Sequence, residues 1–202
     1  VWFTDPPYGG QLYEGQPDAA GGPSNPDGRL NPRLGQPPEQ GRARRELPTR
    51  VYRRDAGGEL EVVVTAEQVP NPNGLCFSPD HRRLYVVSSG RRDVAVFTVN
   101  DDHTLSDMRT FTDCTVDGIK CGPDGMRADV YGNIWISSNA GRNVGYNGVT
   151  VWSPEGKLLG RIRLPEAVAN VTFGGPKRNR LFMAASQSIY AVYVATQGAA
   201  PS

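Results

Sequence analysis

Asn73-Gly74-Leu75-Cys76-Phe77-Ser78-Pro79-Asp80, followed by Leu84-Tyr85-Val86-Val87, is the stretch on which the fold turns. It reads as a short strand, a turn built from Ser, Pro and Asp, and a second strand with an aromatic in its middle. The design returns in Asp124-Gly125-Met126-Arg127-Ala128-Asp129 with Gly132-Asn133-Ile134-Trp135-Ile136-Ser137. It returns again in Ala169-Asn170-Val171-Thr172-Phe173-Gly174-Gly175-Pro176 with Leu181-Phe182-Met183-Ala184. Val1-Trp2-Phe3-Thr4 matches the second strand alone, and each unit is followed by a further apolar run, as in Val149-Thr150-Val151-Trp152. The aromatic anchors Trp2, Tyr85, Trp135 and Phe182 lie 83, 50 and 47 residues apart. Setting aside an insertion of about 35 residues brings the first spacing to about 48, within the period of a four-stranded propeller blade. An irregular sandwich would not repeat one hairpin at constant spacing. The predicted class is all-β, a β-propeller of which this chain covers about three and a half blades.

Composition agrees. The 202 residues include 24 Gly and 17 Pro, an excess that favours many turns and short strands over a helical bundle. No long window carries an apolar stripe at helical spacing. With 22 Lys and Arg against 21 Asp and Glu, the formal charge is +1, so neither nucleic acid nor a membrane surface is an expected partner. The longest apolar runs are far too short for a transmembrane helix. The chain is expected to be one partial propeller domain over residues 1–202, with a Gly/Pro-rich insertion loop at 10–48. Seventeen of the glycines and prolines fall between residues 6 and 48. Val1 opens on a strand already in progress, so the first blades are expected upstream. Those blades, or a second copy, would close the ring. Cys76, Cys114 and Cys121 are too few for a disulfide framework, and a Cys114–Cys121 pair competes with free thiols. The compartment, cytoplasm or periplasm, stays open.

No nucleophile elbow, zinc-binding H-E-x-x-H, P-loop or C-x-x-C pair occurs. His81 and His103 stand in strongly polar turns and read as solvated. The chemistry-bearing signal is the polar residue that leads each repeat: Asn73, Asp124 and, near the same place, Asn170. In a propeller the innermost strands surround the central channel, so such oxygens converge on one axis. Carboxylate and amide oxygens suit a hard divalent cation. The competing reading is that Asn-Gly and Asp-Gly are turn dipeptides holding positive φ.

Four ordered strings narrow the choice: Phe3-Thr4-Asp5-Pro6-Pro7-Tyr8-Gly9, Pro72 to Asp80, Pro123-Asp124-Gly125-Met126 and Phe173-Gly174-Gly175-Pro176. Together they resemble the gluconolactonase/regucalcin (senescence marker protein) family. The resemblance implies a six-bladed propeller with one divalent cation on its axis. Calcium is the first expectation, with zinc, manganese or magnesium as alternatives. It further implies hydrolysis of a sugar or related lactone, a small-molecule substrate. By motif position Asn73 resembles a metal ligand. Asp124 resembles the aspartate that binds metal and handles the proton of the attacking water. Asp5, Tyr8 and Asn170 are expected at the substrate mouth. The family's glutamate ligand and its substrate-facing arginine and asparagine would lie upstream of Val1, so the isolated chain is expected to be inactive. A non-catalytic, metal-stapled binding propeller and an arylesterase or phosphotriesterase-type hydrolase are the rival readings.

Overall fold

A computed structural model describes residues 1–6 and 47–199 of the chain. Every strand pairing within its sheets is antiparallel, and the described residues contain no helix. The first sheet comprises β1 (Trp2–Thr4), β2 (Val51–Arg54) and β3 (Leu60–Val64). The second comprises β4 (Pro72–Phe77), β5 (Arg83–Ser88), β6 (Asp93–Val99) and β7 (Leu105–Thr112). A two-stranded hairpin, β8 (Thr115–Val116) and β9 (Ile119–Lys120), precedes the third sheet. That sheet holds β10 (Gly122–Ala128), β11 (Ile134–Asn139), β12 (Gly148–Trp152) and β13 (Leu158–Arg163). The fourth holds β14 (Val168–Gly174), β15 (Arg180–Ala185) and β16 (Ile189–Tyr193). In each sheet the strands sit in chain order, the meander of a propeller blade. Strand β10 packs against both β4 and β14, and β4 lies beside β1, so the inner strands form an arc about one axis.

Because the second and third blades each lie between two others, their middle strands bury both faces, and their sequences are nearly continuous apolar runs. On β5, Leu84 and Val86 point toward the first sheet, where they meet Val51 and Val64. Tyr85 and Val87, one residue out of phase, point the other way into a cluster with Met126 and Ile136 of the third sheet. On β11 the phase repeats: Ile134 and Ile136 face the second sheet, while Trp135 joins Val171, Leu181 and Met183 of the fourth. Period-2 alternation thus distributes one strand between two cores. Each fully buried Leu, Ile or Met contributes roughly 1.5–3 kcal/mol.

Two blade junctions use the same aromatic joint. Trp2 meets Phe77 edge-on with ring centroids 5.5 Å apart at 81°, and Trp135 meets Phe173 at the same distance and angle. In the junction between them Ala128 stands where the others have Phe. There Tyr85 turns to Phe111 of its own blade, 4.8 Å away.

The fourth sheet agrees with the blade count: its third strand, β16, is in place on β15, and no fourth strand pairs with it among the described residues. The insertion 10–48 falls outside the described residues except for Leu47 and Pro48. The strands on either side of it pair directly, Thr4 with Val51 and Trp2 with Arg53. All three cysteines are buried and free.

Candidate metal and substrate site

The inner strands carry the site, and they share one irregularity. The ladder of β4 on β5 slips between Pro72 and Leu75, that of β10 on β11 between Pro123 and Met126, and that of β14 on β15 between Val168 and Asn170. A bulge at the same place in three blades aims residues out of the pleat. In the first two blades it presents Asn73 and Asp124. Both following glycines lie inside strands, and neither has a positive φ, which sets the turn-dipeptide reading aside.

The glycines are there because the axis is crowded. A Cβ on Gly74 would stand 2.0 Å from the backbone oxygen of Asp124, and one on Gly125 would stand 2.8 Å from Cα of Asn170. Each blade's glycine therefore receives the next blade's polar residue, an approach only a side chain of one hydrogen permits. Register also relocates Asn170. Pro72, Pro123 and Val168 are equivalent, as are Leu75, Met126 and Val171, which pair with Val86, Ile136 and Met183. Ala169, not Asn170, occupies the position of Asn73 and Asp124, and Asn170 stands where the other blades have glycine. Its Oδ1 accepts a bond from the Val171 amide at 2.9 Å. The fourth sheet thus offers no side-chain oxygen at the ligand position.

Asn73 and Asp124 line one open cleft of about 930 Å³ with Pro6, Ser89, Arg92, Lys120, Asn139 and Asn143. Burial pushes the Asp124 carboxyl up to about 6, partly opposed by a hydrogen bond from the Asn73 side chain. Asn73 Nδ2 also reaches Ser89 Oγ at 3.4 Å. The amide spends its donors on these neighbours, which leaves Oδ1 as an acceptor on a residue that lines the cleft. A partly buried carboxylate beside an amide oxygen is a donor set that fits a hard cation. No group of three His, Cys, Asp or Glu residues clusters among the described residues, so these two oxygens are a partial set.

The β8–β9 hairpin, absent from the sequence reading, forms one wall through Gly118, Ile119 and Lys120. Its tip is Asp117-Gly118, with both residues at positive φ, the pairing a two-residue hairpin turn demands. Asp117 is anchored to Arg161 at 3.1 Å, and that guanidinium lies 4.7 Å over the Tyr146 ring. At the neck, Cys121 N donates to Cys114 O at 3.1 Å. Of the other expected mouth residues, Asp5 donates its amide to Arg50 O at 3.0 Å and precedes the cleft-lining Pro6. Tyr8 lies outside the described residues.

An arc of propeller blades that gathers an aspartate and an asparagine from adjacent inner strands into one axial cleft defines a class, the β-propellers with a polar axial site. Residues 22–187 match the model of the SMP-30/Gluconolactonase/LRE-like region, and the chain belongs to that family. It is 30% identical over 156 residues to a gluconolactonase of Zymomonas mobilis, covering 73% of this chain and 41% of that protein. A gluconolactonase structure from Xanthomonas campestris superposes with a TM-score of 0.66 at 31% identity, over 95% of this chain and 52% of the other. The calcium-binding regucalcin of Agrobacterium tumefaciens does so with a TM-score of 0.56 at 26% identity, over 66% and 43%. The chain spans 39–41% of the length of the curated relatives it matches.

Proposed function

We propose that the chain carries the cation- and water-handling part of a lactone hydrolase. The observation that bears it is the convergence of Asp124 and Asn73 in one cleft, from equivalent bulges of adjacent blades. A carboxylate oxygen of Asp124 and Oδ1 of Asn73 would hold a divalent cation, calcium first. When bound, such an ion supplies Lewis-acid polarisation of the lactone carbonyl.

The chain's own residues do the rest. The half-buried Asp124 carboxylate orients a water and takes its proton as the oxygen attacks the carbonyl carbon. It then returns the proton to the ring oxygen as the C–O bond breaks, and the product is the hydroxy acid. Asn73 holds Asp124 in place through its side-chain hydrogen bond. The β8–β9 hairpin screens one side of the cleft from water. In this reading, further ligands and the blades that complete a six-bladed ring lie outside the described residues.

The test is turnover of neutral aldonolactones by the complete gene product in saturating calcium. Asp124→Asn should lower kcat at least about 100-fold, the scale of a lost general base. Asn73→Ala should chiefly weaken calcium binding, since it removes a neutral ligand. Both variants should melt near the wild-type temperature. An Asp124→Asn protein that retains near wild-type turnover would refute the assignment, and calcium binding without turnover on any lactone would favour the binding-propeller reading.

A further inference from the structure

Arg91 and Arg92 are neighbours in the turn between β5 and β6, yet the structure treats them oppositely. Arg91 is neutralised: its Nε meets Asp93 at 2.9 Å, and Nη1 donates to the Gln68 carbonyl. Arg92 adopts a left-handed φ of 58°, which turns its side chain the other way, into the cleft that holds Asp124. Its Nη2 donates to the Lys120 carbonyl at 2.8 Å, tying the guanidinium to the β8–β9 hairpin. The group lies over Gly122, two residues before Asp124, where a Cβ would stand 3.6 Å from Nε and 3.7 Å from Nη2. Among the described residues Arg92 has no carboxylate partner. The other cation of the cleft, Lys120, is differently placed, with Nζ bonded to the Asp113 carbonyl at 2.6 Å and its charge beside the Asp113 carboxylate. Among the described residues, then, Arg92 is the cleft's anchored, unneutralised cation.

We propose that Arg92 is an anion subsite, which makes the preferred substrate a lactone bearing a second, anionic group, a carboxylate or a phosphate, remote from the ring carbonyl. This rests on the lactonase reading above and narrows it. A guanidinium already fixed by one bond keeps donors for planar recognition of an oxyanion and loses little freedom on binding. Its position on the wall, apart from the pair formed by Asn73 and Asp124, separates the group that is bound from the group that reacts. Asn139 and Asn143 line the same cleft and offer amide groups to uncharged hydroxyls.

The experiment compares a neutral aldonolactone with the same lactone carrying a 6-carboxylate or a 6-phosphate, using the complete gene product and its Arg92→Gln and Arg92→Lys variants. Wild type should show the lower KM for one of the anionic lactones, and the better of the two identifies the anion. Arg92→Gln should raise that KM about tenfold, the scale of one lost charge-assisted contact, with kcat and the neutral-lactone KM little changed. Arg92→Lys should recover part of the loss. Equal KM values for neutral and anionic lactones in wild type, or an equal rise for both in Arg92→Gln, would overturn the subsite. Should no lactone be turned over, the lactonase reading falls on its own. The subsite is then read by calorimetric titration of the dicarboxylate glucarate into calcium-loaded protein, where about tenfold weaker binding to Arg92→Gln sustains it and unchanged binding overturns it.

Discussion

Strands β12 and β16 hold the same place, third in their blades, and read alike in sequence as Gly-Val-Thr-Val-Trp and Ile-Tyr-Ala-Val-Tyr. They end in opposite surroundings. Every residue of β12 is buried, whereas Ile189 and Tyr193 of β16 are 79% and 71% exposed. The difference is in the neighbours. Strand β12 is paired on both edges, by β11 and β13, and its blade lies between two others. Among the described residues, strand β16 is paired by β15 alone. The Arg180 guanidinium stands 5.1 Å over the Phe182 ring and 5.6 Å over the Tyr193 ring, a cation laid across an otherwise bare aromatic edge. An apolar, aromatic-rich run is thus enough to make a strand. Its burial is conferred by the blade beyond it.

That contrast predicts a wide spread of mutational effects. Trp135→Ala should be the most damaging, at roughly 3–5 kcal/mol, because it empties the junction between the third and fourth blades. It removes the edge-on contact with Phe173 and the bond from Nε1 to Asp129 at 3.1 Å. Asp129 is itself buried and also accepts from Tyr131 N, Asn133 N and Asn133 Nδ2. Ile189→Ala on β16 deletes a large apolar side chain too, yet should cost under about 0.5 kcal/mol, as surface substitutions do. Chemical denaturation of the two variants checks the pair. Similar losses would mean that β16 is covered in solution by something the structure does not show.

The second test moves from the edge to the axis. Gly74→Ala brings a methyl to 2.0 Å from a backbone oxygen, an atom that cannot swing away. The expected cost is roughly 1–3 kcal/mol, and since the oxygen belongs to Asp124, calcium binding should weaken as well. Gly160→Ala, in β13 with nothing within 4 Å of its Cβ position, is the control and should leave both unchanged. Loss of stability with undiminished calcium affinity would separate the crowding at the axis from the cation site.

Much of this was legible in the residues. Residues 51–54 (VYRR) and 60–64 (LEVVV) read as strands, being short β-branched and aromatic runs bounded by turn residues, and they are β2 and β3 residue for residue. Residues 74–77 and 125–128 read as strands too, but β4 and β10 begin two and three residues earlier. Pro72-Asn73-Gly74 and Pro123-Asp124-Gly125 look like breakers, and only the bulge lets them continue a strand. Asn73 and Asp124 emerge from aligning repeats, and Asn170, near the same place, stands one residue further on, where the other blades have glycine. The two-residue strands β8 and β9 are too short to show any period. Their one signal was Asp117-Gly118. Nothing in sequence distinguishes Arg91 from Arg92, whose fates are set by a backbone angle and by Asp93.

The smallest effect is expected at the fourth sheet, where β16 is the outermost strand among the described residues. Glu166, just before β14, accepts from Gln187 N at 2.7 Å, Ser188 Oγ at 2.8 Å and Tyr190 OH at 2.7 Å. One carboxylate thus ties the entry of the blade to the β15–β16 turn and to β16 itself. The bonds from Tyr190, Ser188 and the Gln187 amide hold its pKa below the ordinary 4.5. A lowered folded-state value means that the ionised group stabilises the fold above the unfolded value, and that this contribution fades as pH falls through the folded one. Glu166→Gln should therefore lower the melting temperature slightly near neutral pH. The gap from wild type should close as the pH is taken well below 4.5, where the native residue is itself becoming neutral. A gap of constant size across that range would show that the contact works through shape rather than charge. No gap at any pH would mean that β16 is held by β15 without the clasp.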